Sequence, residues 1–276
     1  MLRTMFPDPL ALALAQAAIA AVAALAVALL ARTRHIRVER ELAIALVRGI
    51  AQISAVGSVL LVMLSGPGWL ALLALLAMIG AAAATSARRA KRVPGAFRIS
   101  LQAIAAGAGS VILLMAVTGV VETTVTVIVP VGSMLIANAM NANTLALERF
   151  RAEVASHERL VEASLALGAS PDVSVAPYVQ SSFAASLTPA IDNLRSLGIV
   201  WIPGLMTGMV LSGTPPLLAA IYQFVIIAMI FASSGLTCLV GTTLARAAAF
   251  SPAEQLVMRA GPSPAPRAPA RAASRA

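Results

Sequence analysis

The sequence predicts an all-α, polytopic membrane protein: about seven transmembrane helices and one charged, amphipathic cytosolic segment. Three observations predict it. Of 276 residues, 59% are hydrophobic and 11% charged, with a mean hydropathy of +0.90, whereas soluble domains carry roughly 25% charged residues. Several apolar runs reach the roughly 20 residues that a helix needs to cross a bilayer core. Most basic residues lie in alternate loops and in the C-terminal tail.

Spans are expected at Pro9–Ala31, Leu42–Leu64, Gly68–Ala87, Ile99–Val120, Thr123–Ala142, Ser186–Leu211 and Pro216–Thr243. The first run is too long for a signal-peptide core, and its basic cluster follows the apolar stretch instead of preceding it, so it reads as a retained span. Arg32, Arg34, Arg37 and Arg40 fill the loop after span one; Arg88, Arg89, Lys91, Arg92 and Arg98 lie between spans three and four. Ser65–Pro67, Val121–Glu122 and Ser212–Pro215 contain no basic residue. The positive-inside rule then places the N-terminus outside and the C-terminus in the cytosol of a cell (inner or plasma) membrane, with Arg3 as the one dissenting charge.

Past the fifth span the pattern changes. In "LERFRAEVASHERLVEASLALGAS", Leu147 to Ser170, the residues Leu147, Phe150, Val154, Val161 and Leu165 recur at helical spacing among charges. That describes an amphipathic helix, not a span. Gly168 stands where a C-cap glycine would, and Pro171 can open the next helix. The transmembrane domain is expected over residues 1–250, with the cytosolic segment at about 147–182. The tail, 251–276, is rich in Pro, Ala and Arg without apolar periodicity and is expected to be disordered.

The net charge of +9 does not point to nucleic acid, because the basic loops serve as topology signals and contacts to anionic lipid. Cys238 is the single cysteine, so no internal disulfide forms. Catalytic motifs are missing. Lys91 is the only lysine and is followed by Arg92, so the chain has no GK[ST] phosphate loop. His35 and His157 belong to no HExxH, and no GxSxG elbow occurs. Arg48, Glu122, Asp192 and Arg195, within or beside the spans, form no catalytic set. No catalytic residue is assigned.

"EASLALG", Glu162 to Gly168, resembles the signature of ABC-transporter permeases, in which a short cytosolic helix docks on a separate ATPase. Such a lever needs an acidic anchor (Glu162), a small-residue face (Ala163, Ser164) and a sharp turn (Gly168). A helix lying on the lipid surface is the other reading of the same segment. "RGIAQ" (Arg48–Gln52), "VGSMLIANAM" (Val131–Met140), "IPGLMTGMVLSG" (Ile202–Gly213) and "YQ" (Tyr222–Gln223) extend the likeness to the FetB-type permease family, over about Arg48 to Gly241. That family includes bacterial iron-export permeases and plant permeases linked to aluminium tolerance. Ala137, Met209 and Ser164 depart from its common pattern. The resemblance implies the membrane subunit of an ABC exporter for iron or another metal, a homodimer of permeases, and ATP and Mg bound on a partner ATPase with no cofactor in this chain.

Within "WIPGLMTGMVLSGTPP", Trp201 to Pro216, Pro203 removes a backbone donor and should break the helix. Gly204 and Gly208 form a GxxxG face that permits close helix approach. Broken spans recur at transport sites, so Pro203, Gly204, Met206, Thr207 and Gly208 are read as a gate lining the translocation path, with a tightly packed, kinked helix as the alternative. Gln52 and Asn138 are further candidates for the path, because polar groups in spans face the bundle interior. For Arg48 an interfacial, snorkelling position is the better reading. Asn141 and Asn143 stand near Asn138 at the same end of the span, and Asp192 and Arg195, i and i+3, are spaced to pair. Met206 and Met209 are soft-metal candidates, although apolar filling is the commoner fate of methionine. A channel, carrier or scaffold without ATP coupling is the competing class.

Overall fold

The computed structural model describes residues 9–34, 39–64 and 67–258. Arg3, His35, Arg37, residues 65–66 of the first basic-free loop and residues 259–276 of the tail lie outside the described residues. Two units separate, Met1–Pro67 and Gly68–Ala276.

The first unit is a pair of helices, α1 (Pro9–Thr33) and α2 (Glu39–Leu64). Glu39 and Glu41 occupy the first turn of α2, where carboxylates favour the positive end of the helix dipole. Arg32 at the end of α1 pairs with Glu39 at 3.6 Å. Arg48 and Gln52 are both exposed on α2.

The second unit begins with α3 (Trp69–Arg89). Gly95, at φ 66°, makes the turn that no β-carbon tolerates cheaply, and α4 (Ala96–Ile104) follows. α4 passes through one π-helical turn, Ala105–Gly109, into α5 (Ser110–Val117), so the three together form one span. Then come α6 (Val125–Ser156), α7 (Glu158–Ala166), α8 (Pro171–Ser196), α9 (Gly204–Leu211) and α10 (Pro216–Ala248).

Among the described residues, six helical stretches are long and apolar enough to cross a membrane: Ala11–Thr33, Glu39–Ser58, Trp69–Arg89, Ala96–Val117, Val125–Ser156 and Pro216–Ala248. The protein is therefore an all-α, multi-pass membrane protein. The remaining expected span, Ser186–Leu211, is not one helix. α8 starts at Pro171, ends at Ser196, and a seven-residue break separates it from α9. Gly198 at φ 76° and Pro203, which caps α9 in an extended conformation, account for the break.

The amphipathic segment Leu147–Ser170 also divides. Residues 147–156 are the last turns of α6, and only 158–166 form a separate helix. The charges that begin at Glu148 mark where α6 leaves the apolar run, not where it stops. Its buried stripe continues unbroken through Ala139, Ala146, Phe150 and Val154.

At the end of the second unit that carries the Arg88–Arg98 loop, Phe150, Val154, Val161 and Val175 pack with Val93, Ile99 and Ala245. Leu256 and Met258 complete this cluster. They belong to a turn held by the Val257 N–H to Ala249 carbonyl bond of 2.8 Å and by the Ser251 N–H to Gln255 carbonyl bond of 2.8 Å. The stretch 251–258, expected to be disordered, is thus folded: two apolar side chains suffice to anchor it, and so short a stretch carries no detectable periodicity. At the other end Val131, Leu135, Met115, Ile226 and Ile230 make a second cluster.

Candidate functional site

α7 hangs from α6 by a single residue. His157, at φ −112° and ψ 23°, ends the long helix. Its Nδ1–H donates to the Glu153 carbonyl at 2.9 Å, and its ring stacks on Tyr178 of α8 with centroids 4.9 Å apart. Val161 points into the core while Glu162 and Ala163 are exposed. The Ser164 hydroxyl donates back to the Leu160 carbonyl at 2.6 Å, so it serves its own helix. An open hollow of about 480 Å³ runs along Ala155–Leu160 and Glu162.

Gly168 has φ 87°. Its N–H bonds the Leu165 carbonyl and the Ala169 N–H bonds the Ser164 carbonyl, both at 3.0 Å. These are the two bonds of a Schellman turn, which needs a left-handed residue at this position. Leu167 beside it is 89% exposed. Arg246 at the end of α10 meets Asp172 in the first turn of α8 at 3.1 Å, tying the segment after the turn to the last long helix.

The broken span is arranged differently from the expectation. Pro203 is buried, and Met206 is half-buried. Gly204, Thr207 and Gly208 are exposed, and the Thr207 hydroxyl returns to the Pro203 carbonyl at 3.3 Å. No residue of α9 is buried. A β-carbon on either Gly204 or Gly208 would meet nothing within 4 Å, so the GxxxG face makes no close contact inside this chain. The motif permits approach but supplies no partner. Met209, the second thioether, is half-buried.

Close approach occurs elsewhere. A β-carbon on Gly107, inside the π turn, would stand 2.5 Å from the Thr237 nitrogen on α10, and one on Gly241 would strike the Asn143 Oδ1. Asn143 is the centre of a buried polar hub. Its Nδ2 donates to the hydroxyls of Ser86 and Ser100, each at 3.0 Å, and the Thr144 hydroxyl donates to Ser86 at 3.0 Å. α3, α4 and α6 are thereby bonded together, with α10 against the free side of the amide. Asn138 donates to the Met134 carbonyl of its own helix at 2.8 Å, and Asn141 is exposed, so neither joins the hub. Asp192 and Arg195 pair at 3.8 Å on the surface of α8.

Gln223 is the residue that sequence reasoning left without a role. Only 1% exposed, it accepts the Met206 N–H on its Oε1 at 3.2 Å. A glutamine among apolar residues seven positions into a span was the available signal. Among the described residues no three of His, Cys, Asp and Glu gather where they could hold a metal ion.

Among the described residues, six membrane-long helices, with the short helix α7 at the end of α6 and a further helical stretch broken before Pro203, define a multi-pass membrane protein. The chain belongs to the family described as "Uncharacterised protein family (UPF0014)", whose model matches residues 14–250. It is 34% identical to UPF0014 membrane protein STAR2 of Oryza sativa subsp. japonica over 226 residues, covering 81% of this chain and 79% of the relative. Protein ALUMINUM SENSITIVE 3 of Arabidopsis thaliana is 29% identical over 83% of this chain and 84% of its own length. The relative named "Probable iron export permease protein FetB", from Escherichia coli (strain K12), is 28% identical over 83% of this chain and 89% of its own. No solved structure matches the chain.

Proposed function

We propose that the chain is the membrane-spanning permease subunit of an ABC transporter that exports iron or another metal, energised by a separate ATPase. The observation that carries this is α7. It is fastened to its own protein by Val161 and presents Glu162, Ala163 and the exposed Leu160 and Leu167 on the other side. Leucines so exposed at the water-facing end of a membrane protein fit an apolar groove on a partner. ATP and Mg belong on that partner, and the permease works as a homodimer with its N-terminus outside and its basic loops in the cytosol.

The names of the bacterial and plant relatives make a metal the leading cargo. We place the path along Pro203–Gly208, with Asn138 as a further contact. The donors offered there are neutral: the amides and the Met206 and Met209 thioethers, which are soft ligands at most.

Co-purification with the ABC ATPase encoded nearest to it, in detergent and in vesicles, tests the reading. Gly168→Val forces a β-branched side chain into a left-handed turn, and Glu162→Arg and Leu167→Glu change the presented face. All three should insert normally yet weaken ATPase capture and cargo-stimulated hydrolysis. Unchanged capture and hydrolysis in all three would leave α7 as a lipid-surface helix and the protein as a channel or carrier without ATP coupling.

A further inference from the structure

α9 is a short helix set between two glycine turns. Gly198 (φ 76°) precedes it and Gly213 (φ 96°) follows it, and both occupy the left-handed region that glycine adopts without a side-chain penalty. Between them Ile199 is 85% exposed and no residue of α9 is buried. The segment rests on α10, with Leu205 reaching the cluster that contains Ile226 and Tyr222. Neither Gly204 nor Gly208 has an atom against it. Little apolar packing therefore fixes where α9 sits.

One polar contact does. The first N–H groups of a helix have no partner in their own helix. Pro203 caps α9 without a side-chain hydrogen bond, and the first internal bond is the Thr207 N–H to the Pro203 carbonyl at 3.2 Å. The donors of Gly204, Leu205 and Met206 precede it. Met206 alone is served by a side chain from another helix, the Gln223 Oε1 at 3.2 Å. The other half of that amide, Nε2, is buried and has no acceptor among the described residues. Burying that donor without a partner carries a desolvation cost that offsets part of what the Met206 bond contributes.

We propose that Gln223 is a latch: a positioning residue whose amide oxygen holds the hinged segment between Gly198 and Gly213 against α10 in one access state and releases it in the other. The half-satisfied amide keeps the hold weak, as a moving part requires. The transport meaning of the latch rests on the permease reading above; its mechanics do not. It acts through the Met206 backbone, so it is separate from any ligand role of the Met206 sulfur.

The full-length chain carrying Leu205→Cys and Cys238→Ser, in membrane vesicles without ATPase, reports the latch by the rate at which a membrane-permeant maleimide labels position 205. Gln223→Leu removes the acceptor and should raise that rate about three- to tenfold, the change expected from one hydrogen bond. Gln223→Glu keeps an oxygen acceptor and should stay within about twofold of the parent. A Gln223→Leu rate equal to the parent, or a Gln223→Glu rate as high as Gln223→Leu, overturns the latch. Should Gln223→Leu fail to reach the membrane, hydrogen exchange on the unsubstituted chain decides: the Met206 amide should exchange more slowly than the Leu205 amide, and equal rates reject the proposal. Loss of ATPase capture with the labelling contrast intact would remove the transport reading and leave the latch standing; capture with no contrast would do the reverse.

Discussion

Gly107→Ala adds one methyl group at the tightest helix contact of the second unit. The added carbon would lie 2.5 Å from the Thr237 nitrogen and 2.7 Å from its Cα, and against its hydroxyl. Carbon atoms prefer separations of roughly 3.5–4.0 Å, so α10 and the π turn must part by about 1 Å. Forcing such a contact costs about 1–3 kcal/mol. Thr237→Ala should not rescue it, because two of the three nearest atoms belong to the Thr237 main chain. Gly241→Ala should cost less, since it meets a side-chain oxygen and no backbone, although turning the Asn143 amide strains its bonds to Ser86 and Ser100. Gly204→Ala meets nothing and should be neutral within about 0.5 kcal/mol. Thermal unfolding in detergent should thus rank Gly107→Ala lowest, Gly241→Ala next and Gly204→Ala level with the parent. Each kcal/mol corresponds to roughly 2–4 °C for chains of this size. A Gly107→Ala protein that melts with the parent, or a Gly204→Ala protein that melts below Gly107→Ala, refutes the assignment of close contact to Gly107.

Asn143→Leu leaves the Ser86 and Ser100 hydroxyls without their shared amide and should cost about 1–3 kcal/mol in the same assay, whereas Asn138→Leu loses only a bond within its own helix and should cost under about 1 kcal/mol. Leu256→Ala opens a cavity in the cluster beneath α7 and should cost about 2–5 kcal/mol; limited proteolysis should then cut near residue 250 faster than in the parent. Arg246→Met breaks a pair with half-exposed partners and should change stability by no more than about 1 kcal/mol, less still in high salt. For orientation, a cysteine at position 66 on a Cys238→Ser background should label from outside and one at position 91 should not; the opposite pattern would reverse the proposed topology.

The features legible in the sequence are those fixed by neighbours along the chain. Apolar runs, alternating basic loops, the left-handed turn at Gly168 and the helix start at Pro171 all depend on a few adjacent residues. The extent of α6 was hidden because charge entering at Glu148 reads as a boundary, whereas the buried stripe crosses it without a change of phase. The broken span was legible at Pro203, since a proline's missing donor is a local fact. Its packing was not. Gly204 and Gly208 have the spacing of a contact motif and no contact, while Gly107 and Gly241 lack that spacing and carry the contacts. Whether a glycine is approached depends on which helix lies opposite, and Asn143 finds Ser86 from 57 residues away. Gln223 and Asn143 were unreadable for the same reason: a lone amide in a span announces a partner without naming it.

Two long helices connect the parts that matter in the proposed cycle. α6 has 32 residues, so at 1.5 Å per residue it is about 48 Å long, with Pro130 in its second turn and buried residues from Val131 to Val154. α7 is attached to its end at His157, and the hub at Asn143 bonds it to α3 and α4 two to four turns before that end. In the proposed cycle a displacement of α7 by a partner would reach the hub through the last turns of α6. α10 lies against the hub at Gly241 and holds α9 at Gln223, eighteen residues and about 27 Å away along the same helix. In that cycle α6 and α10 would couple the α7 end to the segment at α9. The weak joint is the half-satisfied amide at Gln223. Motion should collect where the bonds are fewest, and that places the moving part at the hinged segment between Gly198 and Gly213, not in the spans that carry the force to it.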